Sequence, residues 1–155
     1  MKKLIQGEYN FNKDLSKGKS GEDFVINYMK KLGFVLEHTC NDSKYDFCMS
    51  YRNKKITYEL KTDMYCKPGC DTGNIAIEIE SRGKKSGINV TASDYFVTYF
   101  PHLGEIWNIK TEDLKKLIKY SNLPLKEGKG DPGSNTKFYL IKKELYKQYF
   151  KVHKI

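Results

Sequence analysis

Apolar residues recur at helical spacing near the start of the chain. The side chains that share one helical face are Phe24, Val25, Tyr28, Met29 and Leu32. Ser20 can cap the first free amides and Gly33 can end the element, so the pattern predicts a helix over residues 20–32. Residues 1–19 are polar and lysine-rich without clear periodicity, which predicts a flexible or loosely docked N-terminal arm.

Short β-rich runs follow the helix and predict a mostly antiparallel, mixed sheet. The predicted strands cover residues 34–38, 46–52, 55–62, 74–80, 95–100, 105–109 and 137–141. The link Arg52-Asn53-Lys54 has the length of a tight turn, so the second and third of these strands should form a hairpin.

Two further helices complete the prediction. A short helix should begin at Thr111, and a C-terminal helix should cover residues 143–150. Residues 126–136 are rich in Gly, Pro and Lys and predict an exposed loop. With no internal repeat and 155 residues, the chain after the arm should form one α/β domain over residues 20–155, with a central mixed sheet flanked by helices.

Charge narrows the choice of partner. The chain has 28 Lys and Arg against 19 Asp and Glu, a net charge of +9 at pH 7. A polyanion would bind such a surface with release of counterions, which favours nucleic acid ahead of an anionic membrane. A protein that is only lysine-rich is the alternative from charge alone. With 39% hydrophobic and 14% aromatic residues, the chain can bury a core, and intrinsic disorder is not expected.

The lack of a recognisable targeting signal and the four cysteines together predict an intracellular protein. The sequence has no apolar run of about 18 residues, and its N-terminus turns polar too early for a signal peptide. A cytoplasmic location is therefore predicted, the host cytoplasm if the protein is viral. The four cysteines should then be reduced thiols. A zinc-stabilised interaction protein is the alternative, although the spacing of Cys66 and Cys70 is a weak zinc signal.

The predicted hairpin carries two acids and a lysine. Asp46 enters its first strand, whereas Glu59 and Lys61 lie on the second, where alternation projects both to one face and Leu60 to the other. Two carboxylates and the Leu60 carbonyl could bind Mg²⁺, which prefers oxygen ligands. The ion would activate a water, and the Lys61 ammonium would offset phosphate charge. This chemistry suits phosphodiester hydrolysis.

These residues resemble the bipartite motif of the PD-(D/E)XK nuclease superfamily, which includes Holliday-junction resolvases and phage recombination nucleases. The match is Asp46, a 13-residue step to Glu59, and then Lys61, while Tyr45 stands where the motif has Pro. The resemblance implies a restriction-endonuclease-like core and an endodeoxyribonuclease that needs Mg²⁺ or Mn²⁺. Asp46 and Glu59 would be metal ligands, Lys61 the catalytic lysine, and Glu22 the acid of the first core helix. Kinship also implies a homodimer and a structure-specific role in recombination, repair or phage DNA processing.

Each of these residues also has a plain structural interpretation. Glu59 and Lys61 could form a solvated strand face, Asp46 could end a turn, and Glu22 could complement the helix dipole. A nucleic-acid-binding module that has lost catalysis is the alternative function. Positive residues outside the motif are candidate DNA contacts: Arg82, Lys84 and Lys85 in one loop, with Lys44 and Lys67 near the site.

Overall fold

The fold comes from a computed structural model, which describes residues 11–40, 42, 44–129 and 135–155. The first helix, α1, covers Phe11–Lys31 and so begins nine residues before the predicted start at Ser20. Residues 11–19, which we expected in a flexible arm, are therefore helical. Residues 1–10 of the predicted arm lie outside the described residues.

A six-stranded mixed sheet forms the centre of the fold, as the sequence predicted. Its strands are β1 (Val35–Thr39), β2 (Phe47–Tyr51), β3 (Lys54–Thr62), β6 (Tyr95–Phe100), β7 (Glu105–Lys110) and β10 (Lys151–Lys154), in the spatial order β1-β2-β3-β6-β7-β10. Only the β3–β6 pair is parallel, and the other neighbours are antiparallel. The β2–β3 hairpin is confirmed, and its turn residues Arg52 and Asn53 have positive φ angles of 50° and 64°, as a two-residue type I′ turn requires.

A second, antiparallel sheet was not predicted. It contains β4 (Asn74–Ser81), β5 (Lys84–Lys85), β8 (Leu125–Lys129) and β9 (Asn135–Lys142), in the order β5-β4-β9-β8. The loop predicted over residues 126–136 is wrong at both of its described ends, because residues 126–129 belong to the edge strand β8 and residues 135–136 belong to its partner β9. Residues 130–134 of that loop lie outside the described residues.

The C-terminal region also differs from the prediction. Helix α2 covers Thr111–Tyr120, starting where we expected it. The helix predicted over residues 143–150 is only the single turn α3 (Lys143–Tyr146), followed by a 3₁₀ turn and then β10, which was not predicted. Within the described part of the chain, no helix has the length and apolar character needed to span a membrane.

Two hydrophobic cores cover the two faces of the six-stranded sheet. Under α1, Val25, Ile26 and Met29 pack against a first core that includes Tyr58 and Leu60 of β3. The opposite face contributes the side chains of Phe96, Phe100, Trp107 and Ile109 to a second core, together with α2 and the second sheet. Because residues alternate along β3, Glu59 and Lys61 lie on the face turned toward this second sheet.

Candidate active site

Asp46 lies where β2 and β3 separate. Its backbone N–H donates to the Tyr58 carbonyl at 2.9 Å, one step before the regular pairing of Phe47 with Tyr58 begins. Its carboxylate Oδ2 accepts a hydrogen bond of 2.7 Å from the Leu60 N–H. The Asp46 side chain thus takes the place of a strand backbone beside β3, and this holds the carboxylate at one fixed position.

Glu59 and Lys61 project together, as the alternation predicted. Lys61 Nζ lies 3.4 Å from Glu59 Oε1, and the two residues differ sharply in exposure. Only 11% of the Glu59 side chain is exposed, whereas 43% of the Lys61 side chain is accessible. Lys61 also lines an open cleft of about 380 Å³, to which Glu78 and Phe138 of the second sheet contribute. A phosphate in this cleft could therefore reach the lysine, and the buried glutamate lies directly behind it.

The two carboxylates are poorly compensated. Burial raises the pKa of Glu59, and the nearby charge of Asp46 raises it further, although Lys61 and Thr91 partly offset both effects. Burial also raises the pKa of Asp46 against the opposing effects of the Leu60 N–H and Lys61. Both groups therefore hold their negative charge less readily than an exposed acid, which is the usual condition of carboxylates that bind a cation or transfer a proton.

Glu22 belongs to the same electrostatic neighbourhood. It lies on α1 and is half-buried, and burial together with the charge of Asp46 raises its pKa to about 6. Glu59 contributes to this rise as well. The backbone of α1 is held close to β3 here, since a Cβ on Gly21 would lie 2.3 Å from the hydroxyl oxygen of Thr62. The structure thus brings the predicted acid of the first helix toward the two acids of the hairpin.

Sequence reasoning missed a set of buried hydroxyls beside Glu59. Thr91 Oγ1 lies 3.5 Å from Glu59 Oε2 and 3.0 Å from both the Lys44 carbonyl and Ser93 Oγ. Ser93 Oγ is in turn 3.0 Å from Thr111 Oγ1. The polar run Thr91-Ala92-Ser93-Asp94 directly before a buried strand was the available signal.

The predicted DNA contacts lie at different distances from this site. Lys44 is close, because its carbonyl accepts from Thr91 Oγ1 and from the Ala92 N–H. Lys67 pairs through its backbone with Cys70, as an isolated antiparallel β-bridge in the turn between β3 and β4. Arg82, Lys84 and Lys85 are exposed on the β4–β5 hairpin at the edge of the second sheet. Among these five described residues, only Lys44 is connected to the acids through hydrogen bonds.

The donor set fits a hard divalent cation that is shared with a substrate. Within the described residues, no group of three or more His, Cys, Asp or Glu side chains is placed to hold a metal ion. Mg²⁺, however, is usually held by one or two carboxylates, and waters and substrate phosphates supply its other ligands. Asp46 and Glu59 meet that requirement. The Leu60 carbonyl stays a predicted ligand, since the contact with Asp46 is made by the Leu60 amide.

The cysteines form no comparable site. All four are free thiols, as predicted. Cys66 is buried and lies within 3.8 Å of Asp63 Oδ2 and 3.6 Å of the Thr72 hydroxyl, whereas Cys70 is exposed. Over the ranges that the structure describes, no cysteine belongs to a cluster of ligands that could bind zinc. The zinc hypothesis gains no support from the fold.

Comparison with known proteins adds no relative, because neither a protein-family model, nor a curated protein, nor a solved structure matches this chain. The geometry of the residues is therefore the basis for assigning a function.

Proposed function

We propose that the protein is a divalent-metal-dependent endodeoxyribonuclease of the PD-(D/E)XK type. The observation that supports this most strongly is the convergence of Asp46, Glu59 and Lys61 beside an open cleft. The buried carboxylate of Glu59 and the half-buried carboxylate of Asp46 both have raised pKa values and share one lysine, which lies 3.4 Å from Glu59. A divalent cation would supply the positive charge that this arrangement lacks, and a substrate phosphate would be a further ligand of that cation. The proposal includes a restriction-endonuclease-like topology for the core.

Each residue has a distinct role in the proposed reaction. Asp46 and Glu59 would hold Mg²⁺ or Mn²⁺, which when bound lowers the pKa of a ligand water and stabilises charge on the phosphate. The Leu60 N–H fixes the Asp46 carboxylate, so little reorganisation is needed when a ligand arrives. Lys61 Nζ reaches the cleft, where it would donate a hydrogen bond to the attacking water or to a phosphate oxygen.

Thr91 and Glu22 would act around this centre. The Thr91 hydroxyl restrains Glu59 on the side away from Lys61, since it lies at Oε2 while the lysine lies at Oε1. Glu22, with a pKa of about 6, can exchange a proton near neutral pH. We assign it the capture of a proton close to the site, not a metal ligand position.

The finer features of the proposal come from the resemblance. A junction-resolving or recombination role suits a small basic chain, and paired sites in a homodimer would cut both strands of a duplex. The experiment therefore compares plasmid, linear duplex, single strands and four-way junctions, each with Mg²⁺, with Mn²⁺ and with EDTA. We expect metal-dependent cutting within the strands, and the preferred substrate defines the specificity.

Asp46→Asn tests the site directly. It removes a charged metal ligand but keeps an acceptor for the Leu60 N–H, so we expect cleavage to fall at least about 100-fold with little change in Tm. Asp71→Asn is the matched control, because Asp71 Oδ1 accepts a similar bond of 2.8 Å from the Gly73 N–H but is exposed in the loop between β3 and β4. Cleavage that survives Asp46→Asn would contradict the assignment. Metal-independent DNA binding without any cutting would favour the inactive binding module instead.

A further inference from the structure

A second cleft, larger than the one at Lys61, opens at the other end of β3. Its volume is about 540 Å³, and it lies where β3 and β6 begin and α2 follows β7. Four lysines line it: Lys54, Lys55, Lys110 and Lys115. All four are exposed, and none has a role in the proposed active site. This cleft shares no lining residue with the cleft at Lys61.

The cleft has a net positive charge, because four lysines and only two acids line it. In the part of the chain that the structure describes, none of its four lysines makes an ion pair. Two acids also line the cleft, but both have other partners. Asp94 Oδ2 accepts from the Thr57 N–H at 2.9 Å and from the Thr57 hydroxyl at 3.1 Å, and Glu112 lies 3.4 Å from Lys116. The lysines are therefore available to an external anion.

The cleft adjoins the candidate active site at Thr91. Thr91 lines the cleft and also contacts Glu59, and the hydroxyls of Ser93 and Thr111 continue from Thr91 along the cleft wall. Lys55 lies on the same face of β3 as Glu59, four residues earlier. At the rise of a β-strand, these two positions are about 13 Å apart. An extended anion could therefore occupy the cleft and the site at once.

We propose that this cleft binds the phosphate backbone of the nucleic acid strand on one side of the bond that is cut. Each strand of duplex DNA rises about 3.4 Å per nucleotide along the duplex axis, so a duplex lying along β3 would place Lys55 roughly four nucleotides from a scissile phosphate at Glu59. The inference deepens the proposed function and depends on it for the position of the cut. Binding of backbone phosphate in the cleft itself does not depend on catalysis.

The lining favours a nucleic acid backbone over a free nucleotide. Pockets for small molecules are mostly apolar and enclose their ligand, with only a few polar groups for orientation. Here four lysines and three hydroxyl side chains are spread over several elements, and the cleft is open to solvent. Such a surface offers several separate phosphate contacts and no enclosed pocket for a base.

The first test compares two double variants of the full chain. Lys55→Gln with Lys110→Gln removes two charges from the cleft, and Lys30→Gln with Lys31→Gln removes two exposed charges from the end of α1, on the other face of the sheet. Binding to a labelled duplex is measured in EDTA at several salt concentrations. We expect the slope of log K against log salt to fall by about two for the cleft variant and to stay unchanged for the control. Equal slopes in the two variants would overturn the proposal.

A second measurement needs no variant. Lysines of the unaltered protein are acetylated with and without bound duplex, and the modified positions are identified by mass spectrometry. The cleft lysines should be protected by the duplex while Lys30 and Lys31 stay reactive. If AMP or inorganic phosphate protects them at concentrations as low as the duplex does, the cleft is a small-anion site and the backbone proposal is wrong.

The two proposals fail separately. If the protein binds and protects as expected but cuts no substrate with Mg²⁺ or Mn²⁺, the nuclease is wrong and the cleft stands. If it cuts DNA while the cleft lysines stay reactive in the complex, the nuclease stands and the cleft is wrong. Cut positions in short duplexes test the spacing. The proposal needs about four nucleotides on one side of the cut, so a cut that leaves fewer than about four nucleotides on both sides would contradict it.

Discussion

Two glutamates of the central sheet are equally buried and yet are stabilised in opposite ways. Glu59 is 8% exposed and Glu105 is 9% exposed. Glu105 Oε1 accepts from Lys143 Nζ at 3.0 Å and from Trp107 Nε1 at 3.1 Å, and Lys154 donates to Oε2. Burial alone would raise the pKa of Glu105, but these donors outweigh it and hold the pKa at about 2. For Glu59, burial and the adjacent Asp46 prevail and its pKa rises.

The difference separates a group that stabilises the fold from one that is available for a ligand. Glu105 joins β7 to α3 through Lys143 and to β10 through Lys154, so its charge is fully used in connecting chain segments. Glu59 contacts one lysine whose side chain is largely free to turn toward a cleft. A buried charge without full compensation costs stability, and such sites are common where a protein binds ions or substrates.

Exchanging the two glutamates for glutamine should give reciprocal results. Glu105→Gln leaves the buried Lys143 without its carboxylate, and we expect a loss of about 3 kcal/mol, or roughly 6–12 °C in Tm. Glu59→Gln should leave Tm unchanged or slightly higher but reduce the cleavage rate by at least about 100-fold. Thermal melts and single-turnover cleavage on both variants check the pair. A Glu59→Gln protein as unstable as Glu105→Gln would remove the distinction.

A double variant sharpens this result. Adding Lys143→Met to Glu105→Gln removes the uncompensated charge, and the methionine can pack near Phe100, whose ring centre lies 3.7 Å from Lys143 Nζ. Part of the lost stability should then return. If the double variant melts no higher than the single one, the ion pair is not the cause of the loss.

Stability should have an optimum in mildly acidic solution. The pKa of Glu105 falls from 4.5 to about 2 in the folded protein, so its contribution is present above pH 4.5 and is lost as pH falls toward 2. Glu22 has the opposite sign: its pKa rises from 4.5 to about 6, so its contribution is complete below pH 4.5 and is lost as pH rises through 6. As the pH is lowered, Tm should therefore rise from pH 7 to about pH 5 and fall again below pH 4.

Variants assign each side of this profile. Glu22→Gln should flatten the change between pH 7 and 5, and Glu105→Gln should flatten the acid side by up to about 3 kcal/mol. Saturating Mg²⁺ should raise Tm more at pH 7 than at pH 5, since protonated carboxylates bind cations poorly. If Tm does not rise as the pH is lowered from 7 to 5, the pKa of Glu22 is not raised by burial and by the charge of Asp46.

The sequence predicted the face of β3 that carries Glu59 and Lys61 better than it predicted the surrounding fold. Alternation along β3 is a local property, so Glu59 and Lys61 on one face and Leu60 on the other could be deduced directly. The turn at Arg52 and Asn53 fixed the hairpin that places Asp46 beside β3. Local periodicity and turn length were sufficient for these features because they depend on neighbouring residues only.

Several of the missed features depend on contacts between distant residues. Strand β8 contains Lys126, Glu127 and Gly128, which have no β-pattern of their own and become a strand by pairing with β9. The contact of Thr91 with Glu59 spans 32 residues, and Glu105 meets its lysines 38 and 49 residues away. Nothing in a local window separates Glu105, which stabilises the fold, from Glu59, because partners elsewhere in the chain set their charge balance.

The lysine partners provide the finest test of the comparison. Lys61→Met should lower the cleavage rate about 10- to 100-fold with little change in Tm or in the Mg²⁺ concentration needed, because the 43% exposed side chain contributes little to the fold. Lys143→Met should lower Tm and leave the rate per folded molecule unchanged, since Lys143 is buried among Phe100, Trp107 and Glu105. Cleavage rates at saturating Mg²⁺ and melts on both variants decide this. An unchanged rate in Lys61→Met would make Lys61 a surface charge that only neutralises Glu59, and the contrast between the two sites would then be one of burial and not of function.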